Sequence, residues 1–587
     1  MKKYFKFLIH TILCCFLLLS LSCAHERDVE IIVMHTSDIH GAFFPYDFIN
    51  DKQMEQSLAH VYSVVQNERK SNENLILLDN GDILQGQPSA YYYNFIDTTS
   101  IHLAARIINF MKYDAASVGN HDIETGHAVY DKVFAEYNCP VIAANAVRTS
   151  DGKPYFKPYT IIKRNGVKIA VLGMITPGIP KWLPNSIWEG IEFRDMVETA
   201  EFWIKEIREK EKPHLILGLF HSGYNYEREG EDINTRNNEN ASMLTAQKVA
   251  GFDAVFIGHD HDKYCGKVCN VAGDSVLIVD VQNEGRLVSK VQINIKIKGD
   301  KVLEKTITGN LIETKNFEPD SSFIAEFKPD FDTVKNFVSR PIGKFTKNIS
   351  TRKSFFEPSE FIDLIHRIQL DITKADISFT APLSFDAEIS EGDVFVSDMF
   401  KLYRYENLLY TMHLTGSEIK DFLEYSYSLW TNQMKTSADN ILLLSKTENN
   451  RNGRLKNPYY NFDAAAGIVY TVDVTKPYGE KINIKSLYNG ENFDLNKTYK
   501  VAINSYRGNG GGGHLTEGAK ILKTELNNRI IFSTSRDLRY FLMQWIEQQK
   551  QVEPTLLYGV DEWKFIPETL VKPAIERNYK LLFETEK

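Results

Sequence analysis

An α/β domain followed by an α+β domain is the architecture this sequence predicts, and three observations carry it. The chain has 587 residues, whereas one hydrophobic core stops growing at roughly 250–300, so two domains are expected. From Val29 the pattern strand, loop, helix repeats, with short all-apolar runs bounded by Gly and Asp, as strands buried on both faces require. Past residue 340 the grammar changes: a helix carries its own start signal and separate strands surround it. Composition, with 43% hydrophobic and 25% charged residues, excludes the disordered and fibrous classes. The net charge of −9 argues against a nucleic-acid polymer as partner, because such proteins carry a basic patch that replaces counterions on the phosphates. A small phosphorylated substrate stays open, provided a metal ion or other local positive charge receives it.

Taken in order, the chain opens on a targeting segment. Lys2, Lys3 and Lys6 form a positive stretch, and residues 7–21 are almost continuously apolar but shorter than the roughly 18 residues a membrane span needs. A secretory signal peptide is expected over residues 1–22, which would place the mature chain in the periplasm or make it an outer-membrane lipoprotein of a bacterium, in an oxidising compartment. Leu19-Ser20-Leu21-Ser22-Cys23 reads as a bacterial lipobox that would put a lipid on Cys23 and attach the chain to a membrane. Ordinary cleavage nearby is the competing reading, since Ser20 stands where an apolar residue is usual.

The first domain is expected over residues 28–315, with strands at 31–34, 75–78, 169–172, 215–217 and 254–257 and a helix at 197–209 lying on a sheet face. Residues 316–340 open on Phe317-Glu318-Pro319-Asp320, continue as a polar helical stretch, and read as a linker or hinge helix. The second domain follows over residues 341–587. There Thr415-Gly416-Ser417-Glu418 has the spacing of a helix capping box, with Ile419, Phe422 and Leu423 behind it at helical spacing, and strands are expected at 408–414 and 500–503. A monomer is the expected state. Cys265 and Cys269 lie four residues apart and allow a small disulfide loop or a pair of thiolate ligands. The disulfide is favoured, because the neighbouring candidate ligands are His and Asp and no second Cys pair completes a zinc site.

Five loops at strand ends, where open sheets place their sites, carry seven candidate metal ligands: Asp38, His40, Asp82, Asn120, His221, His259 and His261. Two divalent ions roughly 3.5–4 Å apart need about this inventory, with one carboxylate bridging them. Asp82 is the natural bridge, offering one oxygen to each ion. The D-x-H and H-x-H spacings let extended backbone turn both side chains of a pair to one side. Nitrogen and oxygen ligands without thiolate suit Zn, Mn, Fe or Co. Such ions lower the pKa of water toward roughly 7 and neutralise phosphate charge. The leaving oxygen still needs a proton, and His121, outside the ligand set, is the candidate acid, oriented by Glu124 or Asp122.

In order along the chain, Asp38-Ile39-His40, Gly81-Asp82-Ile83-Leu84-Gln85-Gly86, Gly119-Asn120-His121-Asp122, His221-Ser222-Gly223 and Gly258-His259-Asp260-His261 resemble the motifs of calcineurin-like metallophosphoesterases. Tyr403-Arg404-Tyr405-Glu406-Asn407, Tyr460-Asn461-Phe462-Asp463 and Asn504-Ser505-Tyr506-Arg507 resemble the periplasmic 5'-nucleotidase superfamily, and within it the 2',3'-cyclic-nucleotide 2'-phosphodiesterase/3'-nucleotidase branch. The resemblance implies a four-layer α/β/β/α metallophosphoesterase domain, an α+β C-terminal domain that binds the nucleoside, and a hinge rotation between them. It implies one ion at Asp38, His40, Asp82 and His261, the other at Asp82, Asn120, His221 and His259, and His121 as the catalytic histidine with Glu124 in the place of its usual Asp or Asn partner. Tyr460 and Tyr506 match the aromatic pair that sandwiches the base, with Phe462 as the alternative to Tyr460. Arg404 and Arg507 read as structural or surface charges, and the glycine run 510–513 as a loop beside the base. Two departures narrow the substrate. Thr380-Ala381-Pro382-Leu383-Ser384-Phe385 lacks the arginine of the Asn-Gly-Gly-Gly-Ile-Arg block of typical 5'-nucleotidases, and the glycine run lacks the carboxylate that grips a free ribose diol. The expected activity is hydrolysis of 2',3'-cyclic nucleotides and 3'-nucleotides. The alternatives are a 5'-nucleotidase or nucleotide-sugar hydrolase on the same site, and a lipoprotein that captures nucleotides or metals without turnover.

Overall fold

The computed structural model describes residues 26–228, 231–449, 453–559 and 562–584; the expected signal peptide and the lipidation site Cys23 lie outside the described residues. In chain order the sheets of the first domain are built from β1 (Glu26–Thr36), β2 (Ile76–Asp79), β3 (Ala115–Ser117), β4 (Val141–Ile142), β5 (Tyr159–Arg164), β6 (Val167–Ile175), β7 (Leu215–His221), β8 (Ala254–Ile257), β9 (Lys263–Cys269), β10 (Ser275–Val281), β11 (Leu287–Lys298) and β12 (Lys301–Glu313). They form two six-stranded sheets, ordered β12-β11-β1-β2-β3-β4 and β9-β10-β8-β7-β6-β5. β1 to β4 are parallel to one another, as are β6, β7, β8 and β10. The carboxyl ends of β1, β2, β3, β7 and β8 are the five places from which the candidate ligand loops leave.

Alternation along the strands makes the layers. Ile31 and Val33 of β1 belong to the core between the sheets, with Ile169, Val171, Leu217 and Phe256 from the second sheet. Ile32 and Met34 belong instead to an outer core with helices α1 (Leu58–Arg69), α2 (Pro88–Phe95) and α3 (Leu103–Met111). The short helix α4 (Asn120–Glu124) follows β3. The far face of the second sheet, including Leu172 and Ile216, packs on α5 (Met196–Lys210) through Met196, Ala200, Ile204 and Ile207. Their spacing keeps one helix face apolar, and Asp195 caps the helix by accepting from the N–H groups of Val197 and Glu198 at 2.9 and 3.1 Å. The result is a four-layer α/β/β/α domain.

Residues 316–340, read as a linker, include α6 (Lys328–Val338), whose Val334 and Val338 lie in the outer core of the first domain with Phe323 and Phe327. Asp330 fixes the helix to that domain: Arg106 donates to it from both Nη atoms at 2.6 and 3.0 Å, and Tyr93 Oη donates at 2.5 Å. In the second domain β13 (Ile377–Thr380), β14 (Leu409–Thr415), β15 (Ala464–Ala466), β16 (Thr498–Asn504) and β17 (Ile530–Ser533) form a sheet ordered β15-β13-β16-β14-β17. Helix α7 (Gly416–Trp430) packs on one face through Ile419, Phe422 and Leu423. On the other face lie the helix Glu360–Thr373 and α8 (Leu538–Gln549). The capping box is formed, with Thr415 Oγ1 accepting from Glu418 N at 3.2 Å and Glu418 Oε2 from Thr415 N at 2.7 Å.

The Cys265–Cys269 disulfide is overturned. Both thiols are free and both sit on β9, an edge strand. Four residues of extended chain separate their Cα atoms by about 13 Å, well past the roughly 7 Å a disulfide tolerates.

Candidate active site

The ends of the two sheets bring all seven candidate ligands together. Asp38, His40 and His261 form one group and Asp82, His221 and His259 another, each with ligating atoms within 4.8 Å of one another. In the first, His40 Nε2 and His261 Nε2 stand 2.9 Å apart, and Asp38 Oδ1 lies 3.2 Å from His261 Nε2. In the second, Asn120 Oδ1 lies 3.1 Å from His221 Nε2 and 2.7 Å from His259 Nδ1. The outward nitrogens are committed elsewhere: His40 Nδ1 to Gln85 O at 3.1 Å and His221 Nδ1 to Asn80 O at 2.6 Å. That arrangement fixes which nitrogen faces inward, as metal-binding histidines require. Five of the ligand residues, Asp38, His40, Asp82, His259 and His261, hold φ between 49° and 84°, a left-handed backbone that costs roughly 1–3 kcal/mol per residue and concentrates at functional sites.

Asp82 tests the fit of a metal pair. Its Oδ1 accepts the His121 N–H at 2.8 Å. Oδ2 is fully buried with no hydrogen-bond partner, 3.1 Å from His221 Nε2. An orphaned carboxylate oxygen surrounded by inward imidazole nitrogens suits a divalent cation on either side. Although burial opposes ionisation, the imidazoles of His221 and His121 hold the Asp82 carboxyl well below its ordinary value. Burial and the neighbouring His261 push His40 down to about 3, leaving it neutral as a ligand must be.

His121 lies at the rim, its ring 5.4 Å from that of His40 and its Nδ1 2.5 Å from Glu124 Oε2. Burial alone would lower its pKa, but the Asp82 and Glu124 carboxylates outweigh burial and push it up to about 9. Asp122, the other partner considered, does different work. Its Oδ2 accepts from Gly119 N at 2.8 Å and Asp82 N at 2.9 Å, and its Oδ1 from Ile83 N and Leu84 N at 3.0 Å. One buried carboxylate thus ties the Asp82 loop to the Asn120 loop. Gly119 permits the approach, since a Cβ there would stand 2.0 Å from Asp82 Oδ1.

This geometry agrees with what the chain is similar to. Residues 31–263 match the calcineurin-like phosphoesterase family and residues 341–518 the 5'-nucleotidase C-terminal domain. The chain combines a calcineurin-like phosphoesterase domain with a 5'-nucleotidase C-terminal domain. It thereby joins the metal-dependent phosphoester hydrolases of the 5'-nucleotidase superfamily. The trifunctional nucleotide phosphoesterase protein YfkN of Bacillus subtilis is 27% identical over 92% of this chain, which spans 39% of YfkN's length. The 2',3'-cyclic-nucleotide 2'-phosphodiesterase/3'-nucleotidase of Haemophilus influenzae is 25% identical, with 93% of this chain and 88% of that protein covered. A putative 5'-nucleotidase from Staphylococcus aureus shares the fold, with a TM-score of 0.74 over 92% of this chain and 100% of that one at 18% identity.

Around the ligands this phosphoesterase carries groups the sequence did not single out. Glu239 Oε1 lies 3.2 Å from His259 Nε2, a carboxylate behind a ligand histidine that orients the ring and raises its basicity. The Trp182 ring stacks on the other side of His259, with centroids 5.8 Å apart at 27°. In the second domain Tyr460 and Tyr506 are half-buried and both border the buried Arg507, which donates to Tyr460 O at 2.6 Å and lies 5.2 Å from the Tyr506 ring centroid. Phe462 is a core residue, not an alternative stacking surface: it is 0% exposed and stacked on Trp430 at 5.4 Å and 5°. Arg507 is structural as read, at 1% exposure.

Proposed function

We propose that this phosphoesterase opens 2',3'-cyclic nucleotides to 3'-nucleotides and then removes the 3'-phosphate, releasing nucleoside and inorganic phosphate at the cost of one water per step. The observation that carries the reading is His121, outside the ligand set yet at the rim of both ligand groups and locked through Nδ1 to Glu124. A protein that only captures nucleotides or metals has no use for a positioned acid. When bound, two divalent ions supply activated water and neutralise charge on the phosphate. Asp38, His40 and His261 would hold one of them, Asn120, His221 and His259 the other, and Asp82 both. With Nδ1 engaged by Glu124, His121 keeps Nε2 for the ribose oxygen and protonates it as it leaves. Tyr460 and Tyr506 take the base between them, at about 1–3 kcal/mol per stacking contact.

The choice among nucleotide substrates is supported by the name of the Haemophilus relative aligned along nearly the whole chain, and by Thr380–Phe385 holding no arginine. The export expected of residues 1–22, with or without a lipid on Cys23, belongs to the same proposal. The test is phosphate release from 2',3'-cAMP, 3'-AMP, 5'-AMP and a nucleotide sugar by protein with measured metal content, beside His121→Ala. Turnover of the first two, lost in the variant, is expected. Preference for 5'-AMP or the nucleotide sugar would move the assignment to those hydrolases, and no turnover of any would overturn it.

A further inference from the structure

We propose that Arg507 and Asp463 form a positioning pair that sets the gap between Tyr460 and Tyr506, and so determines how strongly a base-bearing substrate is preferred over a base-free phosphoester. The inference rests on the base-clamp reading of the two tyrosines. Arg507 joins two segments far apart in sequence through nearly every donor it has. Its Nε donates to Asp463 Oδ2 at 2.9 Å, its Nη1 to Gly511 O at 2.8 Å, and its Nη2 to Tyr460 O at 2.6 Å and Asn461 Oδ1 at 3.0 Å. Asp463, 2% exposed, neutralises the cation, also at 2.8 Å from Nη2. One guanidinium thereby pins the backbone under Tyr460 to the backbone of the glycine run, while its own plane sits beside the Tyr506 ring.

The glycine run completes the device. A Cβ at Gly511 would stand 2.6 Å from Tyr506 Cε2, and one at Gly512, where φ is +68°, 2.2 Å from Arg507 Nη1. Bare backbone at these positions lets the run lie flat against the tyrosine and the guanidinium. His514 lies between the same segments, with Nε2 and Nδ1 each 3.0 Å from a carbonyl, Asn461 O and Gly512 O; burial and Arg507 keep the ring neutral, so it donates to one of the two. A planar fork with donors fixed in direction serves such a role; a lysine keeps the charge and loses the directions. If the pair only held the core together, its loss would affect every substrate alike.

The experiment compares kcat and KM for 3'-AMP and for glycerol 2-phosphate, which has no base, in Arg507→Lys, Asp463→Asn and Gly511→Ala, with Tyr460→Ala and Tyr506→Ala beside them and metal content matched. Gly511→Ala crowds the Tyr506 ring while keeping both charges of the buried pair and the Gly511 carbonyl that Arg507 donates to, so the test stands even where the ion-pair variants fold poorly. The expected result is a KM for 3'-AMP raised about five- to tenfold, as the loss of part of one stacking contact gives, with kcat for 3'-AMP and both constants for glycerol 2-phosphate little changed. Equal losses on both substrates, or an unchanged KM for 3'-AMP in variants where the tyrosine substitutions raise it, would overturn the positioning role. Tyrosine variants that leave KM for 3'-AMP unchanged would instead overturn the base-clamp reading, and this inference with it.

Discussion

His121 is held at two points, by its backbone N–H on Asp82 Oδ1 and by its ring on Glu124, so removing the ring leaves the Asp82 carboxylate where it is. His121→Ala is therefore expected to lower kcat by about 10²- to 10⁴-fold, the usual range for a general acid, with metal content unchanged by elemental analysis. Loss of metal along with activity would count against the assignment. Glu239 predicts the opposite split. Replacing it with Gln removes the charge behind His259, and metal affinity should fall about 10- to 100-fold, measured by competition with a chelator, while activity returns at saturating metal. The two residues also differ in legibility. His121 stands in a block whose spacing and neighbours name it, and Glu124 follows at a helical step. Glu239 sits in a polar loop with Glu227 and Glu231, and nothing in that spacing tells which carboxylate reaches a ligand 20 positions on. Phe462 fails for a related reason: aromatic identity is visible in a sequence, but whether a ring faces a cleft or Trp430 is decided by packing.

Loops and elements decide whether the ligands converge. Left-handed backbone at five ligand residues is unfavourable by itself, and Asp122 is one of the groups that hold it, by collecting four N–H groups from two loops. Asp122→Ala would strand those buried donors at about 1–3 kcal/mol each where water does not replace the carboxylate. A melting temperature lowered by several degrees and a coupled loss of metal are expected, measured by calorimetry with and without added metal; an unchanged transition would sink this role. A second element-scale prediction concerns the cavity between the helix Glu360–Thr373 and the strand Trp563–Ile566, lined by Asp363, His366 and Glu562. Burial, helped by Asp363, pushes the Glu562 carboxyl up to about 9 from its ordinary 4.5, so the folded chain binds more protons than the unfolded one between those values. Stability contributed at this site is then greatest below about pH 4.5 and falls as pH rises toward about 9. Glu562→Gln should melt at progressively higher temperature than the parent across that window and converge with it at the acid end. A constant offset would contradict the linkage. At this scale the all-apolar runs made β1, β2, β6, β7 and β8 legible, and the capping box made α7 so. β11, whose burial alternates along the strand, and the edge strand β9 that separates Cys265 from Cys269 obey neither rule.

Across the whole molecule, the domains touch through residues that adjoin the candidate metal ligands. Tyr91 of α2, fully buried, donates to Asp537 at 3.2 Å, and its ring lies 4.9 Å from the Arg539 guanidinium and 5.3 Å from the Phe400 ring. α2 follows directly on the Asp82 loop, whose Gln87 N donates to His40 O at 2.9 Å. On the other side Asn509 Nδ2 donates to Trp182 O at 3.3 Å and Lys523 Nζ to Lys181 O at 2.7 Å, and the Trp182 ring is the one stacked on His259. These pairings join positions more than 300 residues apart, which no local pattern in a sequence predicts. They also link Asn509, next to the glycine run, through Trp182 to the candidate ligand His259, so loss of these contacts is expected to be felt at the site. Two cross-domain hydrogen bonds at about 1 kcal/mol each shift the balance between docked and open forms by roughly 30-fold when lost. The double variant Asn509→Ala/Lys523→Ala is expected to show a larger radius of gyration in solution scattering and a lower kcat/KM for 3'-AMP, with metal content close to the parent; because Asn509 is buried and its Nδ2 also donates to Tyr410 Oη at 3.4 Å, a modest fall in melting temperature accompanies it. An unchanged scattering profile together with unchanged kinetics would mean that the docked form is held on the Tyr91 side, where Arg536 Nη2 also donates to Phe95 O at 3.4 Å, and the Trp182 side would then be a passive neighbour of the candidate metal site.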